Sequence, residues 1–276
     1  MTNSPSTGHF DNAWIHVDDT DDPNFFIQFL DASRARALEF ARIHPEAAFA
    51  HLGLAPGLSV LDCGCGTGDM LALIARQVAP GKAVGGDLSN TMIQEARKRA
   101  AAGALNLTFE LLDVESLSFP DESFDRVMAT QLLVHVPDPK HALHEMCRVT
   151  ARNGRISLSD MDWDTLVLGT DNKDLGRHFC RLFSDGIRNS LVVRDYAGWL
   201  RAEGFKNIQT QPQPIVFDSL DFIKQWLIEP ALHHFVSSGA MSLPDANALT
   251  QDLSARNSRG HFLSAVTFYS VTGQRI

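Results

Sequence analysis

The run VLDCGCGTGD, Val60 to Asp69, closes an apolar stretch with a carboxylate and then places glycine at alternate positions, Gly64, Gly66 and Gly68. Glycine at such a turn permits positive φ and lets a ligand lie against bare main chain, while the amides that open a following helix offer hydrogen-bond donors. Spacing separates the nucleotide ligands such a loop could hold. A dinucleotide fingerprint needs G-x-G-x-x-G, and counted from Gly64 and Gly66 its last position is Asp69. A phosphate-cradling loop needs a lysine and then a hydroxyl residue, and none follows these glycines. Asp62 and Asp69 bracket the turn, where they would repel a pyrophosphate and favour a ligand carrying an ammonium and a sulfonium. That charge pattern suits S-adenosylmethionine.

The elements that must position these groups alternate along the chain. Leu58 to Cys63 reads as a strand, and Met70, Leu71, Leu73 and Ile74 fall at helical spacing just after the glycines. Lys82 to Gly86 reads as a second strand ending at Asp87, with Ser89 capping a helix whose apolar stripe includes Met92, Ile93 and Ala96. A carboxylate at that strand end, some two dozen residues past the glycine loop, can accept hydrogen bonds from both ribose hydroxyls of an adenosine; it can also cap the helix beside Ser89. A third strand, Asn106 to Leu112, ends in Asp113, which offers an acceptor to an amine or forms an Asx turn. Ser123 to Thr130 forms the fourth strand, leading into QLLVHVPD, where Asp138 and Pro139 start the next helix. Gly154 to Asp160 forms the fifth. Alternation predicts an α/β fold with a mostly parallel sheet, whose ligands lie beyond the carboxyl ends of the strands. Asp62, Asp87, Asp113 and Gln131 converge there.

The segment D-C-G-C-G-T-G, Asp62 to Gly68, resembles motif I of the class I S-adenosylmethionine-dependent methyltransferases, the pattern D-x-G-x-G-x-G. The whole chain is similar to the small-molecule methyltransferases of the ubiquinone and menaquinone biosynthesis type, a group broad enough to include natural-product enzymes. DPNFFIQFLDASRA and SDMDWDTLV add to that likeness. The resemblance implies a Rossmann-like, seven-stranded, mostly parallel sheet with an antiparallel last strand, Gly260 to Val271, helices on both faces and helical cap inserts. It also implies a ribose role for Asp87, an adenine contact at Asp113 and a place for Gln131 near the methionine end. The full cofactor set is then Asp62, Gly64, Cys65, Gly66, Gly68, Asp87, Leu88, Met92, Asp113, Val114 and Gln131, with S-adenosylhomocysteine as the product. The domain expectation is an N-terminal helical arm over 1–50 and a methyltransferase domain over 51–276, with inserts at about 163–194 and 218–259.

Composition bounds the partners. The 276 residues carry a formal charge of -9, which argues against nucleic acid or an anionic membrane and for a small-molecule acceptor, with a homodimer as the expected assembly. No apolar run approaches membrane-spanning length, and Met1 to Gly8 lacks the apolar core of a secretory signal, so a cytoplasmic protein is expected. Cys63, Cys65, Cys147 and Cys180 read as reduced thiols, with no metal set among them. The arm is expected to be helical and interrupted by Pro45. Aromatic residues gather outside the alternating core, and Phe25, Phe26, Phe29, Phe179, Phe183, Trp226 and Phe235 could line an apolar acceptor pocket or simply pack a cap.

Methyl transfer from a sulfonium is an in-line displacement from an activated donor, so holding the reactants collinear in a dry pocket does most of the work. A hydroxyl or ring-carbon acceptor would also use a base. Candidates are His135 after the fourth strand, His16 in the arm, where the resemblance implies a site position, and Asp162 or Asp160 at the end of the fifth strand; His233 and His234 lie on a cap helix. Two other readings stand beside the methyltransferase. One is a protein of the same fold that binds S-adenosylmethionine for a different reaction or for regulation. The other is a nicotinamide dehydrogenase, which predicts six parallel strands.

Overall fold

A computed structural model describes residues 13–39, 49–100 and 106–276. Pro45 and Met1 to Gly8 lie outside the described residues. The chain builds one seven-stranded sheet in the order β3-β2-β1-β4-β5-β7-β6. β1 (Val60–Cys63) pairs in parallel with β2 (Ala83–Asp87) on one side and β4 (Phe124–Thr130) on the other; β3 (Leu107–Leu111) extends β2, and β5 (Thr150–Leu168) extends β4. β7 (Ser264–Gln274) runs antiparallel between β5 and β6 (Lys206–Phe217). The chain order therefore reverses direction at β1, between β2 and β4, and a crevice opens at the carboxyl ends of those strands.

Patterning accounts for this placement. All four residues of β1 are buried, as a strand covered on both faces requires. On one face Leu71, Ile74 and Ala75 of α2 (Asp69–Val78) pack with Ile93 and Ala96 of α3 (Asn90–Ala100), and the opposite face joins α4 (Pro139–Val149) to α5 (Lys173–Asp185) and α6 (Tyr196–Ala202). The predicted caps form. Ser89 Oγ accepts from Met92 N at 3.2 Å, and Asp138 accepts from His141 N at 2.9 Å ahead of Pro139. β6 lies at the sheet edge and contains Pro212 and Pro214, which an edge strand tolerates because it need not donate outward.

The fifth and the last strand differ from expectation at both ends, the fifth beginning at Thr150 rather than Gly154. The fifth strand does not stop at Asp160 but runs on to Leu168, so Trp163 and Leu166 belong to β5 and helix resumes only at α5. Its pairing with β7 shifts between Asp162 and Val167, a bulge that lets a long strand turn without ending. The last strand begins at Ser264, not Gly260, and continues to Gln274. The second insert comprises α7 (Leu220–Ile223), a π-helical turn Lys224–Ile228, α8 (Glu229–Ser237) and α9 (Leu243–Ser258). The N-terminal arm contributes α1 (Asn24–Glu39) and a short 3-10 turn, Val17–Asp19. Among the described residues no helix is long and apolar enough to cross a membrane.

Candidate active site

A cavity of about 890 Å³ occupies the crevice, roofed by the arm and the second insert. Its floor is the glycine loop. Gly64, Gly66 and Gly68 hold φ of 70°, 51° and 76°, all in the left-handed region. A side chain at Gly68 would also meet Phe109 Cζ at 2.5 Å, so both backbone and space demand glycine there. The amides of Gly64 and Cys65 donate to Gly86 O at 2.8 and 3.0 Å, fastening the loop to β2.

Carboxylates flank this cradle. Asp62 is buried on the cavity wall; burial first, and then the charge of Asp87, push its carboxyl up to about 8. At the tip of β2, Asp87 accepts from Gly66 N at 2.9 Å and from Ser89 N at 3.0 Å. Burial raises its pKa, against the pull of those amides. Asp113 accepts from Glu115 N at 2.9 Å, forming the Asx turn while still lining the cavity. Leu88, Met92, Val114, Cys65 and Gln131 line it too. Gln131 has φ of 53°, and its amide donates to Ser159 O at 2.7 Å, which locks the turn leaving β4. Burial, followed by the charge of Asp62, holds the Cys63 and Cys65 thiols above their ordinary range.

Asp69 departs from the expected electrostatic role. Its carboxylate pairs with Arg34 of α1 and, at 2.9 Å, with Arg99 of α3. Arg34 also donates to Thr67 Oγ1 at 2.8 Å. The loop's second acid is therefore spent on holding the arm, and Asp62 and Asp87 are left to face a cationic ligand. A second anchor lies beside Asp87, where Asp18 accepts from Ser89 Oγ at 2.7 Å and from the amides of Asn90 at 2.7 Å and Thr91 at 3.1 Å.

The rest of the cavity is largely apolar, with several aromatic rings among its aliphatic side chains. Trp14 stacks on His135 with ring centroids 5.8 Å apart and meets Phe26 and Phe29 edge-on at 4.9 and 5.4 Å. Trp226, presented by the π-helical turn, contacts Phe25 at 5.3 Å and Phe29 at 5.7 Å, so arm and insert meet over the opening. Phe183 and Trp163 complete one wall, 5.0 Å apart. Phe179 and Phe235 do not line the cavity; they pack on each other at 5.8 Å in the core.

The base candidates separate by position. His135 lines the cavity. His16 lines it as well, but its ring is mostly exposed and sits 3.6 Å from Asp19. Asp162 is buried away from the cavity in a bidentate pair with Arg194, at 2.7 and 2.9 Å, so it faces no acceptor. Asp160 accepts from the buried Tyr196 hydroxyl, also outside the cavity, and burial pushes its carboxyl up to about 7. His233 is exposed, His234 packs on Phe235 at 5.9 Å, and neither reaches the cavity. Sequence reasoning missed Trp14, Arg34 and Arg188; the short apolar WIHV within a polar arm was a signal for the first alone.

This sheet order, with its antiparallel β7 and a glycine cradle at the tip of β1, defines the class I methyltransferase fold. Residues 54–187 match the family model described as a methyltransferase domain, and the fold around them is the Rossmann-like fold of the class I S-adenosylmethionine-dependent methyltransferases. It is 32% identical over 222 residues to an uncharacterised 37.1 kDa protein in transposon TN4556 of Streptomyces fradiae, covering 79% of this chain and 63% of that one. It is 40% identical over 103 residues to the demethylmenaquinone methyltransferase of Symbiobacterium thermophilum, covering 36% of this chain and 41% of that one. The chain thus spans less than two thirds of either relative. Among solved structures, the YcgJ protein from Bacillus subtilis shares the fold with a TM-score of 0.60 at 19% identity, over 84% of this chain and 97% of that one.

Proposed function

We propose that this chain transfers a methyl group from S-adenosylmethionine to an O, N or C atom of a small, partly apolar metabolite. One observation carries the reading: a bare-backbone cradle at the tip of β1, flanked by the buried carboxylate of Asp62 and the half-buried one of Asp87, opens directly into a chamber rich in aromatic rings. The donor set suits the cofactor. Asp62 would face the ammonium, Asp87 the ribose hydroxyls and Asp113 the adenine amine, while Gly64 and Gly66 leave room for the ligand against the main chain and Gly68, off the cavity and against Phe109, shapes the turn. When bound, S-adenosylmethionine supplies an electrophilic methyl on a sulfonium.

The protein's own contribution is placement and exclusion of water. Trp14, Phe29 and Trp226 shield the opening and hold an apolar acceptor against the cofactor end. His135, braced by Trp14, would take the acceptor proton at an imidazole nitrogen. A charge of -9 supports a small-molecule acceptor over nucleic acid, and the four unbridged cysteines are in keeping with a reducing cytoplasm.

Calorimetric titration with S-adenosylmethionine and S-adenosylhomocysteine tests the first half of the reading, and binding of neither removes it. Labelled-methyl incubation with small aromatic acceptors tests the second. Tight cofactor binding with no label transferred across the panel favours a protein that keeps the cofactor for another purpose.

A further inference from the structure

His135 sits on the turn that leaves β4, and the backbone of that turn is gripped by a segment from far along the chain. Asn189, which follows α5, donates through Nδ2 to Leu133 O at 3.0 Å and to Val136 O at 2.8 Å, and its own amide donates to Val134 O at 3.1 Å. Carbonyls before and after His135 are thereby tied to one residue. Within the turn, His135 N donates to Leu132 O at 2.9 Å. Leu133, Val134 and Val136 are buried, where a carbonyl left without a donor is costly.

The clamp is itself anchored to the sheet. Trp163 N donates to Ser190 O at 3.1 Å, and Arg194 forks onto Asp162 at 2.7 and 2.9 Å and reaches Asp164 at 3.0 Å. Those partners all belong to β5, so residues 189–194 are fixed to a central strand at one end and to the His135 turn at the other. Asp162, which faces no acceptor, thus holds the segment that holds the turn. On the amide side of the turn stands Asp160. Burial raises its pKa, while the Tyr196 hydroxyl and the amides of Val134 and Leu133 lower it. Its Oδ1 makes no hydrogen bond, so Asp160 bears on the turn through its charge and leaves the clamp to Asn189. A group that acts on a reacting atom must be placed to within about 0.5 Å, and a misplacement of about 1 Å can cost about 10²-fold in rate. A ring carried on a turn keeps such placement only while the turn is rigid.

We propose that Asn189 is a positioning residue for His135: it lies off the cavity, and it sets where the imidazole stands by locking the backbone on either side of it. The proposal rests on the methyltransferase reading only in giving His135 a proton to take. It assigns the first insert a second role. Besides walling the crevice, the segment that leaves α5 carries the geometry of β5 across to the candidate base.

The test follows the imidazole directly. NMR signals of the His135 ring, identified by their loss in His135→Gln, are recorded on the full chain with and without saturating S-adenosylhomocysteine. Wild type is expected to give one set of signals, displaced by the ring current of the stacked Trp14. Asn189→Ala, and Asn189→Asp, which keeps the size but ionises to a side chain with no donor, should shift or split that set while S-adenosylhomocysteine affinity stays within about threefold of wild type. With an acceptor found in the labelled-methyl panel, kcat should fall about 10- to 100-fold with KM held. Val78→Ala, a core truncation at the far end of α2, supplies the effect of lost stability alone. Where neither Asn189 variant folds, Arg194→Met, which frees the segment from β5, carries the same measurement. His135 signals that stay in place in these variants, or that move as far in Val78→Ala, would overturn the proposal. Failure of wild type to bind S-adenosylhomocysteine or to transfer label would instead sink the methyltransferase reading, while the spectra recorded without ligand still decide the role of Asn189.

Discussion

The amide of Gly66 donates to Asp87 Oδ2 at 2.9 Å, so the loop that leaves β1 is tied to the acid that ends β2. One carboxylate thereby shapes the cradle and, on its remaining lone pairs, is offered to the ligand. Asp87→Ala removes both functions. The expected result is a 10- to 100-fold weaker S-adenosylhomocysteine complex, roughly one to two charge-assisted hydrogen bonds. An affinity within twofold of wild type by calorimetry would show that the ligand does not use this acid.

Gly68 is the position where the loop tolerates least. Its φ of 76° strains any L side chain, and an added methyl would collide with Phe109, which is held in the core. Gly68→Ala is expected to cost about 2–4 kcal/mol, the sum of a left-handed backbone penalty and local overpacking. Urea unfolding measures it. A change below about 0.5 kcal/mol, the size of an ordinary surface substitution, would mean that the loop relaxes freely around the new side chain.

The arm is anchored by Asp18, whose carboxylate receives the hydroxyl of Ser89 and the first two amides of α3. Asp18→Ala should cost about 1 kcal/mol, the worth of a helix cap. Because the same contact holds the arm over the cavity, dissociation of S-adenosylhomocysteine should also quicken. Stopped-flow release with an unchanged rate would leave Asp18 as a cap only.

Much of this site was legible in the sequence, and the reason is local. A strand, a glycine turn and a helix cap are each written within about ten residues, so the cradle and Asp87 could be read without knowing what packs against them. Asp69 and Asp162 were opaque for the opposite reason. A carboxylate's role depends on its partner, and Arg34 and Arg194 come from distant segments that only the fold brings near. The extension of β5 to Leu168 was hidden likewise, because its length is fixed by pairing with β7 rather than by its own composition. Trp14 sits in the short run WIHV, whose four residues are too few to set a period and so mark an apolar spot without saying what it faces.

His135 is expected to act on the acceptor and not on the cofactor. It lies against Trp14 on the cavity wall rather than at the glycine loop. His135→Gln should lower kcat by about 10²- to 10⁴-fold for an acceptor that must lose a proton, with S-adenosylhomocysteine affinity held. A matching rise in KM at constant kcat would assign the ring to binding instead.

Asp62 makes ligand binding depend on pH. Its carboxyl, pushed up to about 8 by burial and by Asp87, keeps its proton in the free protein through neutral pH. In the unfolded chain the same group ionises near its ordinary 3.8. Between those two values the folded state therefore holds more protons, and stability contributed by Asp62 declines as pH rises from about 4 to about 8. Asp62→Asn, which cannot ionise, should flatten that part of the melting profile. A cationic ligand reverses the preference, since its positive charge beside the carboxylate favours the ionised form and expels the proton. Binding of S-adenosylhomocysteine, through its ammonium, should then strengthen from pH 6 to pH 8 by up to about tenfold per unit and level off above that. At pH 7 its heat should differ between phosphate and Tris in proportion to their ionisation enthalpies. Equal heats in the two buffers would mean that no proton leaves, and that Asp62 does not meet the charged end of the ligand.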